Sequence, residues 1–130
     1  MSQRPIEVIL TRQLASTLAM PMFLVDADGT MVFYNEPAEA VLGMRFDETG
    51  EMPAAEWSTL WEPTDNAGTP MPETRLPLMI AVTEHRPAHG DFWIRGVDGV
   101  LRHIEATAIP LMRSPDQIVG AVVIFWETTS

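Results

Sequence analysis

The side chains able to do chemistry in this 130-residue chain are three histidines, 18 carboxylates, eight arginines and one tyrosine; cysteine and lysine are absent. A metal centre needs three or four ligands converging on one point. No spacing of His85, His89 and His103 with the acidic residues supplies such a set. General acid–base catalysis needs titratable groups held in a cleft with displaced pKa values. Most carboxylates here fall at helix starts, hairpins or loops, where capping and hydration account for them. Asp26 and Asp28, just ahead of Gly29, read as turn formers. His103 shares strand parity with Glu105 and Thr107 and reads as a surface histidine, while His85 falls at a helix C-terminus, where solvation and the helix dipole favour it. The lack of cysteine removes disulfides, thiolate metal sites, thiol nucleophiles and sulfur-linked cofactors. No catalytic or metal-ligating residue is therefore expected.

Charge narrows the partners. The formal net charge is −10 at pH 7. Phosphate recognition needs clustered cations, whereas the arginines are scattered singly from Arg4 to Arg113, which argues against nucleic acid and anionic membranes as partners. The chain is 46% hydrophobic and 20% charged, an ordinary globular balance, and its length suits one core. Its longest charge-free stretch, Gln13 to Val25, is broken by Pro21 and falls short of the roughly 20 apolar residues of a spanning helix. The N-terminus lacks the apolar run of a signal peptide. A cytoplasmic protein is expected.

The elements that must position these side chains follow from periodicity. Ile6, Ile9, Leu10, Leu14 and Leu18 recur at helical spacing after Pro5, predicting an amphipathic helix within residues 1–20. Met22 to Val25 and Thr30 to Tyr34 flank Asp26-Ala27-Asp28-Gly29, a hairpin signal. Asn35 with Pro37 opens a short helix that Gly43 stops. A second short helix is expected over Ala54 to Trp61, a proline-rich ordered loop over Glu62 to Pro77, and a third helix over Glu73 to Glu84. Three strands follow: His89 to Val97, Val100 to Met112 and Gln117 to Thr128. The last is apolar on both faces, so something must cover its outer side.

Phe23 to Asn35, with its Asp-Ala-Asp-Gly hairpin and helix-opening Asn, resembles the opening of a PAS domain, a sensory module of signalling proteins. Glu36 to Gly43, Gly68-Thr69-Pro70-Met71-Pro72, Leu76-Pro77-Leu78, Asp98-Gly99, Ile109-Pro110-Leu111 and Ile118 to Val122 continue the likeness. Glu127-Thr128-Thr129 stands in the place of the family's exit motif. The resemblance spans Leu18 to Thr129. It implies an α+β fold, a five-stranded antiparallel sheet with helices on one face and a pocket between them, covering residues 21–130 and preceded by the flanking helix.

The resemblance also tests cofactors. Flavin-binding light sensors of the family use a reactive cysteine and a glutamine on the last strand; this chain has no cysteine and carries Phe125 at the glutamine's place. A flavin–cysteine adduct is excluded, as is a cinnamate-type chromophore held by cysteine. Haem-binding members supply a histidine from the long helix, and His85 lies just past its end, so haem is not expected. With Phe125 inward by analogy, parity turns Val123 inward and Val122, Ile124 and Trp126 outward. Phe92, Ile94, Ile104 and Ala106 add the other pocket-facing strand positions, Leu76, Met79, Ile80 and Thr83 the helix positions, and Trp57 and Trp61 close one end. Such a pocket suits an apolar ligand, and Arg95 or Arg102 anchors a carboxylate only if one turns inward.

Ile6, Leu10, Leu14 and Leu18 with Val122, Ile124 and Trp126 form a surface suited either to a homodimer or to the helix capping its own sheet. The expected function is a non-catalytic sensory module that relays pocket occupancy through dimerisation and the exit residues Glu127, Thr128 and Thr129 to an effector domain or partner signalling protein. Two alternatives stand beside it: a protein-interaction PAS domain with a filled core, and a small cone-shaped enzyme of ketosteroid-isomerase type, which requires an inward acid–base pair. The chain is expected to be a stand-alone sensor or a fragment of a larger regulator.

Overall fold

The computed structural model describes residues 4–128; Thr129, the last of the expected exit residues, lies outside them. Helix α1 (Ile6–Ala15) leads into strands β1 (Met22–Asp26) and β2 (Met31–Tyr34). Asp26 makes the hairpin between them: its Oδ1 accepts from the backbone N–H groups of Asp28 and Thr30 at 2.9 and 3.1 Å. Helices α2 (Glu36–Leu42), α3 (Phe46–Thr49) and α4 (Ala54–Leu60) follow, then a 3-10 turn (Glu73–Arg75), α5 (Pro77–Glu84), and strands β3 (Ala88–Arg95), β4 (Leu101–Ser114) and β5 (Gln117–Glu127). The five strands form one sheet in the order β2-β1-β5-β4-β3, antiparallel throughout.

Three elements differ from the sequence expectation. The helix expected from Glu73 to Glu84 is two pieces, because Leu76 takes an extended conformation (φ −72°, ψ 140°), as a residue before proline must. The four-residue helix α3, whose Arg45 N–H donates to Glu48 Oε1 at 3.2 Å, was not expected, since it is too short to show an apolar period. Strands β4 and β5 approach to a two-residue connection, Pro115-Asp116, shorter than the four residues predicted.

The sheet is covered on both faces along β1 and β5, while the outer face of β3 and β4 is largely open. On one face α2, α4 and α5 pack on Phe23, Val25, Ile104, Ala106, Val123 and Phe125. On the other, α1 presses Val8 and Ala15 onto Met22, Leu24, Val32 and Val122, which explains why β1 and β5 are apolar at successive positions. Of the two uses expected for the stripe, a homodimer surface or a cap on its own sheet, it does not serve the second: Ile6, Leu10 and Leu14 are 59%, 55% and 55% exposed, and Leu18 is also exposed. Small Ala15 and the absence of a side chain at Gly120 decide the helix rotation. A Cβ at Gly120 would lie 3.2 Å from Val8 and 2.6 Å from the carbonyl oxygen of Val25, so glycine here lets helix and strand approach together.

The proline-rich segment after α4 is ordered by pairing. Thr64 and Trp93 exchange backbone hydrogen bonds at 2.9 and 2.8 Å, which covers the edge of β3. At the end of α2, Gly43 adopts φ +78° and leaves no room for a side chain against Asp98. The carbonyl of Leu42 accepts from Val97 N–H (3.0 Å) and Trp61 Nε1 (3.0 Å), and that of Val41 from Arg102 (3.0 Å). The β3–β4 hairpin is thereby docked on α2, next to the cavity.

Candidate functional site

Between the sheet and helices α4 and α5 lies a cavity of about 70 Å³. Its sheet wall is Phe92, Ile94, Ile104, Ala106, Val123 and Phe125, brought together because alternate residues on neighbouring antiparallel strands point to one side. The cross-strand pairs Phe92–Ile104 and Ala106–Phe125 set their register. Trp57, Trp61 and Leu76 supply the helix side. All nine were expected at the pocket: Phe125 from the family resemblance, the other strand residues from parity with it, Leu76 from helical spacing, and Trp57 and Trp61 as the closure of one end.

Met79, Ile80 and Thr83 do not line it. Met79 is buried beneath the β1–β2 hairpin, with its sulfur close to Gly29, and Thr83 is exposed and bonds back to the Met79 carbonyl at 2.8 Å. The break at Leu76 is the reason: it lowers the first turn of α5 into the cavity, so Leu76, Pro77 and Leu78 face it instead. Sequence reasoning also missed Phe23, Leu42, Ser58 and Pro63. For Phe23 a signal was present, since it alternates with Val25 on a strand paired to β5 through Phe23–Val123.

Phe23 organises the aromatic end of the site. Its ring meets Trp57 edge-on at 5.4 Å and Trp61 at 5.9 Å, and lies parallel to Tyr34 at 6.1 Å. Both indoles are fixed by their polar ends: Trp57 Nε1 donates to the Gly29 carbonyl and Trp61 Nε1 to that of Leu42, each at 3.0 Å. The rings are therefore held rigidly. Tyr34 donates its hydroxyl to the Met44 carbonyl at 2.9 Å, and burial pushes its pKa up.

Ser58 is the only hydroxyl or charged group in the lining, and its Oγ is 3.2 Å from Glu73 Oε2. Arg102 does not turn into the cavity: it forks onto Asp98 at 2.9 and 3.2 Å, which raises its own pKa and lowers that of Asp98. Arg95 is exposed, 3.8 Å from Glu62. His85 is an exposed residue in the left-handed conformation after α5.

A void of this size bounds the occupant. The void is smaller than the roughly 150 Å³ that holds one benzene, so any occupant requires the lining side chains to move apart, and the chain has no cysteine to form an adduct. Among the described residues no group of three or more His, Asp or Glu is placed to hold a metal ion, and no helix is long and apolar enough to cross a membrane.

The outer face carries the other expected residues. Val122 is buried under α1 and Ile124 is half-buried beside it, while Trp126 donates its Nε1 to Glu105 at 3.1 Å. Glu127 stands 3.8 Å from Arg102. The Thr128 N–H donates to the His103 carbonyl at 2.8 Å, and its hydroxyl lies 2.7 Å from His103 Nδ1. His103 Nε2 is 2.8 Å from Asp91, and its ring stacks on Trp93 at 4.7 Å.

Comparison with known proteins agrees with this architecture. A search of curated protein sequences finds no match. Among solved structures, the chain is similar to the PAS domain of a Colwellia psychrerythraea protein, with TM-score 0.65 and 19% identity over 93% of this chain and 98% of that one. It is also similar to the PAS domain of nitrogen regulation protein NR(II) from Vibrio parahaemolyticus, with TM-score 0.62 and 13% identity over 92% and 98%. The Rhodobacter sphaeroides LOV protein aligns with TM-score 0.75 and 12% identity over 96% of this chain and 69% of that one. These identities speak to the fold alone. The family model for the PAS fold matches residues 10–126, nearly the whole sheet and all the helices of its inner face, and the chain belongs to the PAS family.

Proposed function

We propose that this chain is a non-catalytic sensory module that holds a small apolar ligand between its sheet and helices and relays occupancy to a signalling partner. The observation that carries the reading is the cavity itself, walled by aromatic and aliphatic side chains with both tryptophans fixed beside it. Its neighbours include PAS domains of NR(II) and of a two-component sensor histidine kinase, which supports an effector domain or kinase as the recipient.

Two routes out of the cavity are available. Leu42 and Trp61 line it and are tied to the β3–β4 hairpin, which reaches Glu127 through Arg102. The exposed stripe Ile6, Leu10 and Leu14 on α1 supports a homodimer in which a second copy covers these side chains. The cytoplasm is the compartment we assign.

The small volume favours a second reading, an interaction module whose core is filled by its own side chains. Native mass spectrometry of the intact chain, purified without denaturant, separates the two. A dimer with an apolar adduct that the Ala106→Leu variant loses is the expected result. A bare mass in both proteins, with no adduct regained from apolar extracts, supports the filled core, and a bare monomer removes the dimer as well.

A further inference from the structure

We propose that the groove between α1 and β2, on the opposite side of the sheet from the cavity, is a second ligand site that takes a small amphipathic monocarboxylate. This proposal is independent of any occupant of the inner cavity. The groove encloses about 460 Å³, within the range of roughly 300–1,000 Å³ typical of small-molecule sites. Its helix wall is Ile9, Arg12, Gln13 and Ser16, spaced i, i+3, i+4 and i+7 and hence one flank of α1. That flank serves neither the sheet contact of Val8 and Ala15 nor the exposed stripe.

The charge arrangement selects the ligand. Two arginines and one carboxylate line the groove. Arg4 is consumed by Asp26 at 2.6 Å and Glu51 at 2.5 Å. Arg12 has no ion-pair partner among the described residues. It is an uncompensated cation on a chain of net charge −10.

Arg12 is nonetheless held in place. Its guanidinium carbon sits 4.7 Å from the centroid of Phe33 and 5.7 Å from that of Phe46. No side-chain partner among the described residues takes its N–H groups, and these are the groups that grip a carboxylate with two parallel hydrogen bonds. Because the side chain is already ordered by the rings, less freedom is lost on binding. Beside it, the half-buried Ile9 and Phe33 form an apolar floor, backed by the buried Val8 and Val32. A ligand with a carboxylate head and an apolar body satisfies both halves. The one unpaired cation of the lining matches a single carboxylate, and a ligand seated there touches helix and strand together.

The test is titration of the 15N-labelled full chain with octanoate, with octanol and acetate as matched controls. The expected result is amide shifts centred on Ile9, Arg12, Gln13, Val32 and Phe33, with octanol and acetate each binding more weakly. Arg12 is exposed, so Arg12→Gln keeps the fold, as its spectrum will verify, and weakens octanoate about tenfold. Phe33→Leu keeps an apolar floor but removes the stacking ring, and weakens octanoate several-fold. Absence of binding at millimolar octanoate, an unchanged affinity in Arg12→Gln, equal binding of octanol, or shifts centred on Trp57, Trp61 and Phe125 would each overturn the proposal.

Discussion

Asn35 donates one side-chain N–H to the carbonyl of Ala15 at 2.9 Å, binding the last turn of α1 to the start of α2. Its other N–H goes to the Met20 carbonyl at 2.8 Å, and its Oδ1 accepts from the N–H groups of Met22 and Ala38 at 2.9 and 3.2 Å. One amide thus caps α2, closes α1 and aligns β1. The residue is 2% exposed, and its bonds to Ala15, Met22 and Ala38 are buried, so loss of the side chain leaves those backbone groups without a ready replacement.

Asn35→Ala is accordingly expected to cost about 2–4 kcal/mol, the sum of a lost cap and unpartnered buried backbone groups. Urea denaturation with an unchanged slope checks it. Asn35→Asp keeps the two accepted bonds but sets a carboxylate against two carbonyls. It is expected to be at least as unstable at pH 7 and to recover partly in acid, where the carboxyl regains a proton to donate.

Phe125 and Ala106 face each other across β4 and β5 at the cavity. Phe125→Ala is expected to cost about 3–5 kcal/mol and to open a space large enough for benzene, detected by a rise in melting temperature with added benzene. Ala106→Leu alone fills the existing space at a cost of about 1–3 kcal/mol, and added to Phe125→Ala it abolishes the benzene response.

Glu7 anchors α1 to β4 through Arg113, at 3.1 and 3.2 Å, and the hydrogen bond lowers the Glu7 pKa. A carboxylate with a depressed folded pKa contributes stability that is present above its unfolded value, about 4.3, and is lost as pH falls through the folded one. The protection of α1 amides relative to their intrinsic exchange rates is therefore expected to fall below about pH 4 before that of the sheet. Glu7→Gln should show faster exchange already at pH 7 and no further acid step of its own.

Tyr34 is the only tyrosine, so phenolate absorbance reports one site. Burial raises its folded pKa, so the stability it contributes is present below the unfolded value, about 10, and is lost as pH rises through the folded one. Ionisation is expected above pH 10 and together with unfolding. A phenolate forming in the intact fold near the ordinary value would contradict the placement of its hydroxyl on Met44.

Most of the sheet wall was legible from the sequence because strand parity is a local property. Once β5 is oriented, Val123 and Phe125 turn one way and Val122 and Ile124 the other, and the hairpins carry that alternation to Ala106, Ile104, Ile94 and Phe92. The helix wall was less legible. Helical spacing placed Met79, Ile80 and Thr83 on a pocket face, but a stripe states only which residues share a face. Pro77 breaks the expected helix and so decides which turn descends into the cavity.

The sequence by itself determined the element order, the hairpins at Asp26 and Asp98, the cap at Asn35, the apolar character of the pocket and the absence of thiol chemistry. These depend on backbone preferences and side-chain types within a few residues. Only the tertiary structure decided that α1 turns Val8 and Ala15 to the sheet and leaves Ile6, Leu10 and Leu14 outside. Two apolar flanks of one helix compete for the same sheet, and the better-fitting flank wins. The size of the cavity and the placement of Arg12 over the Phe33 ring were settled the same way, by the packing of side chains distant in sequence.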